Sequence, residues 1–128
     1  MDTNPTIYVA EDYAPIRQLI ERVLVDAGYH VVLANDGAAL LTLIAHELPD
    51  LVVTDLSMPT LDGLMAIQRL RADPRTQTLP ILAMSGCAQS GARALALGAS
   101  GFLRKPFQLD DLLDRVAQYC TRTRILGQ

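Results

Sequence analysis

Short apolar segments alternate with longer amphipathic segments along this chain of 128 residues. Each apolar segment ends at a polar or charged residue and is shorter than an ordinary buried helix. We therefore interpret these segments as strands that are buried on both faces of a sheet. The predicted strands are residues 7–10, 30–34, 51–54, 79–84 and 101–104.

Apolar residues between these strands recur at helical spacing and predict one helix after each strand. Pro15 and Gly28 suit the start and the end of the first helix. The fourth helix is predicted from about residue 90 to Leu97, and the fifth begins near Leu109, with residues 121–128 as a frayed tail. Five alternations of strand and helix predict a single α/β domain, with a five-stranded parallel sheet and helices on both faces.

Composition narrows the function classes. The net charge is −3 with no run of lysine or arginine, so we expect no nucleic-acid partner. No apolar stretch is long enough to span a membrane, and residues 1–5 do not look like a signal peptide. Cys87 and Cys120 lack metal-binding spacing and form no disulfide framework, so we expect a reduced, cytoplasmic protein. The lack of a long apolar stretch also leads us to expect no membrane partner.

Conspicuous polar groups follow four of the five predicted strands. Glu11 and Asp12 end the first strand, Asp55 the third, Ser85 the fourth and Lys105 the fifth. Ligands of open α/β sheets bind outside the carboxyl ends of the strands, so we expect these side chains to form one site.

Three carboxylates brought together repel one another, and a hard divalent cation with oxygen ligands relieves that repulsion. Magnesium keeps several waters, so Asp12 and Asp55 suffice as direct ligands, with Glu11 acting through a coordinated water. The acids beside Lys105 and the Ser85 hydroxyl describe a phosphoryl-transfer site with a carboxylate nucleophile.

These residues also carry a family resemblance that covers nearly the whole chain. It resembles the receiver domain of bacterial two-component response regulators through Glu11-Asp12, Asp55-x-x-Met58-Pro59-x-x-Asp62-Gly63, Ser85-Gly86 and Lys105-Pro106-Phe107, supported by Ala34-x-Asp36-Gly37 and Ala96-x-Gly98-Ala99. The resemblance implies a single flavodoxin-like (βα)5 domain with strand order 2-1-3-4-5.

The resemblance also implies residue roles. Asp55 would accept a phosphoryl group from a sensor histidine kinase or a histidine phosphotransfer protein. Mg²⁺ (or Mn²⁺) would be held by Asp12, Asp55 and the backbone carbonyl of Ser57, with Glu11 acting through water. Lys105 would pair with a phosphoryl oxygen and precede a cis bond to Pro106. Ser85 would move toward the phosphoryl group, and Phe102 would follow it as the switch aromatic.

The chain departs from the family pattern between Ser85 and Lys105, where it is shorter than usual. Gly86, Ala88 and Gly91 predict a weak start for the fourth helix, so we expect residues 87–92 to be the most mobile internal segment.

The leading hypothesis is a stand-alone switch with no output domain, which signals to an unknown protein target by contact or relays its phosphate. It would catalyse its own phosphorylation and slow dephosphorylation without turning over small substrates. One alternative is a phosphatase of the haloacid dehalogenase type, which needs a second aspartate where this chain has Ser57. The other is an interaction module independent of phosphate, which the complete acid–lysine set argues against.

Overall fold

The computed structural model describes residues 4–126, with side chains through residue 120. Its strands are β1 (Thr6–Ala10), β2 (His30–Ala34), β3 (Leu51–Asp55), β4 (Ile81–Ser85) and β5 (Gly101–Arg104). Its helices are α1 (Ala14–Asp26), α2 (Gly37–His46), α3 (Gly63–Ala72), α4 (Ala88–Leu97) and α5 (Leu109–Leu126). No helix within residues 4–126 has both the length and the apolar character to cross a membrane.

All strand pairs are parallel, and the order across the sheet is β2-β1-β3-β4-β5. The predicted (βα)5 fold and its strand order are confirmed. Every residue of β3 and β4 is buried, whereas the edge strands β2 and β5 retain exposed positions. This explains why the central strands have continuous apolar sequences.

Helices cover the two faces of the sheet in separate layers. Ile20 and Leu24 of α1 pack with Leu112 and Val116 of α5 on one face. The helices α2, α3 and α4 cover the other face through a second cluster that includes Leu40, Ile44, Ile67, Leu70 and Ala94. Side chains alternate between the two faces along each strand, so both clusters contain residues from the same strands.

The loop after β3 is fixed by a helix cap and a close backbone approach. The Asp62 carboxylate accepts a hydrogen bond from the Met65 N–H at 2.9 Å and caps α3. A Cβ on Gly63 would overlap the backbone carbonyl of Asp55, so only glycine fits where α3 begins. Asp62 is therefore a turn and cap residue.

The fourth helix begins earlier than the sequence predicts, at Ala88 instead of about residue 90. The weak helix start attributed to Gly91 stays a prediction, and the structure adds a packing role for this glycine. Gly91 is buried, and its missing side chain leaves room for the ring of Phe102. The mobility of residues 87–92 stays a prediction.

The frayed tail at residues 121–128 also stays a prediction, because side chains beyond residue 120 and all of residues 127–128 lie outside the described part of the chain.

Candidate functional site

The carboxyl edge of the sheet brings the predicted polar residues together. Ala10 lies opposite Thr54, and Asp55 lies opposite Met84, so the carboxyl ends of β1, β3 and β4 meet at one edge. Lys105 joins them from the end of β5, where its backbone N–H donates to the Ser85 carbonyl at 2.8 Å. The Lys105–Pro106 peptide bond is cis.

Glu11, Asp12 and Asp55 form a compact acidic cluster, in which one carboxylate oxygen from each lies within 4.8 Å of the others. Glu11 is only 1% exposed and Asp55 7%, while Asp12 is exposed to solvent. Oxygen donors at this spacing fit a hard divalent cation such as Mg²⁺, and the exposed Asp12 leaves one side of the cluster open.

Lys105 lies between the two buried acids. Its Nζ is 2.6 Å from Glu11 Oε1 and 3.3 Å from Asp55 Oδ2. Burial raises the pKa of Glu11, and the hydrogen bond from Lys105 opposes that rise. Burial alone would lower the pKa of Lys105, but Glu11 and Asp55 outweigh it and raise this pKa overall. The lysine is therefore a fixed positive charge, and Glu11 is its nearer partner, which the sequence did not indicate.

Ser57 lies on the loop that follows β3, and Ser85 is the last residue of β4. The Ser57 N–H donates to Asp55 Oδ1 at 3.4 Å, and the role of the Ser57 carbonyl as a metal ligand stays a prediction. Ser85 is buried, and its Oγ accepts a hydrogen bond from the Cys87 N–H at 3.0 Å. Phe102 is half-buried beside α4.

Arg17, in the first turns of α1, is a site residue that the sequence analysis did not identify. Its guanidinium donates to the backbone carbonyls of Glu11, at 2.9 Å, and Asp12, at 3.3 Å. The Tyr13 N–H also donates to Glu11 Oε2 at 3.2 Å. These contacts hold the acidic loop against α1. The one sequence signal was a long cationic side chain in the first turns of the helix that follows two acids.

An apolar groove of about 460 Å³ opens next to the site. Lys105 is the single residue that the groove shares with the acidic site, and the rest of its lining is apolar. Leu19 and Leu109 of this lining are large hydrophobic residues that remain 44% and 37% exposed. The full lining is Ile16, Leu19, Ile20, Lys105, Pro106, Phe107 and Leu109.

The chain belongs to the response regulator receiver domain family, whose model matches residues 7–117. Response regulator MprA from Mycobacterium sp. (strain KMS) is 40% identical over 119 residues, which are 91% of this chain and 51% of MprA. The chain thus spans about half the length of the curated relatives that it matches. The expectation that it acts without an output domain stays a prediction.

Solved structures agree with this assignment. A putative response regulator from Chloroflexus aurantiacus has a TM-score of 0.89 and 32% identity, covering 93% of this chain and 99% of that one. The receiver domain of a sensor histidine kinase from Pseudomonas aeruginosa has a TM-score of 0.86 and 28% identity, with coverage of 93% and 99%. That structure has a magnesium ion coordinated in its active site cleft.

The crowding of carboxylates leads to a prediction for Asp12→Asn in metal-free buffer. Unit charges about 4 Å apart repel by about 1 kcal/mol in water, so we expect neutralising the exposed Asp12 to raise the free energy of unfolding by about that amount. Added Mg²⁺ should raise the Tm of the wild type by more than that of the variant. Thermal unfolding with and without Mg²⁺ measures both effects.

Asp114→Asn is the control, because it removes the same charge from an exposed position of α5. It should respond to Mg²⁺ as the wild type does. A Mg²⁺ response of Asp12→Asn equal to that of the wild type would contradict the ligand role.

Proposed function

We propose that this receiver domain is a phosphoacceptor switch in which Asp55 takes a phosphoryl group from a histidine of a sensor kinase or phosphotransfer protein. The observation that carries this proposal is the position of Asp55. It lies at the carboxyl edge of the sheet, 3.3 Å from the ammonium of Lys105 and in one cluster with Glu11 and Asp12. A carboxylate held beside a fixed cation and a potential metal site is suited to phosphoryl transfer.

In the proposed reaction, a carboxylate oxygen of Asp55 attacks phosphorus while the P–N bond breaks and its electron pair returns to the imidazole. Lys105 offsets charge on a phosphoryl oxygen, and it reaches that position from its present contacts with Glu11 and Asp55. Mg²⁺, or Mn²⁺, would neutralise phosphoryl charge when held by Asp12, Asp55, the Ser57 carbonyl and, through water, Glu11. Arg17 keeps the acidic loop in place through the Glu11 and Asp12 carbonyls.

In this proposal, the site also catalyses its own phosphorylation and the slow hydrolysis of the acyl phosphate. The phosphorylated domain then signals in the cytoplasm, either by protein contact or by onward transfer of the phosphate. A phosphatase that turns over small substrates is disfavoured because Ser57, two residues after the nucleophile, offers no second carboxylate as a general acid.

We expect Asp55→Asn to abolish phosphorylation. With acetyl phosphate and Mg²⁺, intact mass spectrometry should detect one added phosphate on the wild type and none on this variant, because an amide is not a nucleophile for phosphorus. Asp114→Asn, at an exposed position of α5, should gain one phosphate. Equal phosphorylation of Asp55→Asn and wild type would refute the assignment.

We expect Lys105 and Ser85 to be needed more for the response to phosphorylation than for phosphorylation itself. Lys105→Ala and Ser85→Ala are expected to gain phosphate, more slowly for Lys105→Ala, but to lose the chemical-shift changes in α4 and β5 that phosphorylation causes in the wild type. Arg104→Ala is the matched control, since Arg104 is an exposed cation next to Lys105. Wild-type shift changes in either variant would remove that residue from the switch.

The apolar groove supports a docking face for the phosphodonor protein. Any donor that brings a histidine to Asp55 must cover the surface around the site, and Lys105 belongs to both the site and the groove. Leu19 and Leu109 are exposed in that lining and would be buried by an apolar surface of the donor.

We expect Leu19→Gln to lower the rate of phosphotransfer from an autophosphorylated histidine kinase about tenfold, the equivalent of about 1.4 kcal/mol. Phosphorylation by acetyl phosphate should be unchanged, because this small donor needs no docking face. Val25→Gln is the control, since Val25 is 50% exposed on the same helix but outside the groove. Equal loss with both donors, or equal loss in both variants, would contradict docking at the groove.

A further inference from the structure

The ring of Phe102 lies directly against the backbone of α4 at Gly91. An ideal Cβ built on Gly91 would overlap the Cε2 and Cδ2 atoms of that ring and lie 2.5 Å from Cζ. Gly91 is buried, whereas Phe102 is half-buried, so the ring fills a slot in the helix surface. No larger residue fits at position 91 while the ring stays there.

Glycine inside a helix lowers the stability of that helix relative to alanine. Gly91 is the fourth residue of α4, and its φ lies outside the left-handed region, so the backbone itself does not require glycine. The contact with Phe102 is the feature of the described structure that requires it.

A continuous set of contacts joins this slot to Ser85. The Cys87 N–H donates to Ser85 Oγ at 3.0 Å, and the Gly91 N–H donates to the Cys87 carbonyl at 3.1 Å. Phe102 lies opposite Ala83 in the sheet, and Ser85 follows Ala83 by two residues, so Phe102 and Ser85 point to the same face. The Ser85 hydroxyl, the first turn of α4 and the Phe102 ring are therefore linked by one series of contacts.

We propose that Gly91 is the positioning residue of the switch: its slot holds the Phe102 ring against α4 and makes the ring and the first turn of the helix move together. The part of this inference that concerns signalling rests on the proposed function. When Ser85 Oγ leaves the Cys87 N–H for a phosphoryl oxygen, the first turn of α4 loses a contact, and the ring that packs on that turn changes its environment. The short connection between β4 and β5 contributes to this coupling, because α4 begins only three residues after Ser85.

The first test needs no phosphate. The chain has two phenylalanines, so ring-¹³C phenylalanine gives signals from Phe102 and Phe107 alone, which Phe107→Leu assigns. We expect nuclear Overhauser contacts between the Phe102 ring protons and the Gly91 Hα protons in the wild type. Their absence would overturn the proposal even if every variant at Gly91 failed to fold.

A double-mutant cycle then tests why glycine is required. Gly91→Ala should lower the Tm by about 5 °C or more in the wild type, because the added methyl displaces the ring. In a Phe102→Ala background the same change should raise the Tm by about 2 °C, because alanine is the better helix former. Gly86→Ala is the control, because a Cβ there meets only the Lys105 carbonyl oxygen at 3.9 Å. The same sign for Gly91→Ala in both backgrounds would overturn the positioning role.

The link to signalling has its own readout. Gly91→Ala should gain one phosphate from acetyl phosphate as the wild type does, but lose most of the change in the Phe102 ring shifts on phosphorylation. Full wild-type ring shifts in this variant would overturn the coupling. If the wild type itself gained no phosphate, the proposed function would fail, while the ring contacts and the thermal cycle would still test the slot.

Discussion

The buried contact of Lys105 with Glu11 and Asp55 is the interaction around which the carboxyl edge of the sheet is arranged. Two carboxylates with almost no solvent access would be strongly disfavoured without a nearby cation, because burial penalises each charge and each repels the other. Lys105 offsets both penalties from the end of β5, and the Ser85 carbonyl holds its backbone in place. The site is thus held together before any ligand binds, and it keeps Asp12 open to solvent.

Close approaches of the backbone complete this arrangement, and glycine makes two of them possible. Gly63 lets α3 begin against the carbonyl of Asp55, which fixes the loop beside the proposed nucleophile. Gly91 lets the ring of Phe102 lie on α4, which brings that helix close to β5. In both positions the absent side chain serves packing, and neither glycine has a positive φ.

The two layers of helices divide the proposed functions of the domain. The groove beside α1 adjoins Lys105 on one face of the sheet, where a donor protein would dock. Ser85, α4 and Phe102 lie toward the other face, where the response to phosphate would be read. The charged residues at the edge of the sheet lie between these faces, so one chemical event can be received on one side and reported on the other.

The sequence alone determined the order of strands and helices, the α/β class and the set of residues at the carboxyl edge, because buried parallel strands leave a strong apolar pattern and parallel strands end at a common edge. The tertiary structure decided what pattern cannot encode. It decided that Glu11 is the nearer partner of Lys105, that Arg17 binds the carbonyls of the acidic loop, and that Gly91 leaves room for the ring of Phe102. Each of these depends on distances between residues far apart in the chain or on adjacent elements. Local propensity describes only the backbone of a single segment, so it marked Gly91 as a weak point of α4 and could not show that this glycine admits the Phe102 ring.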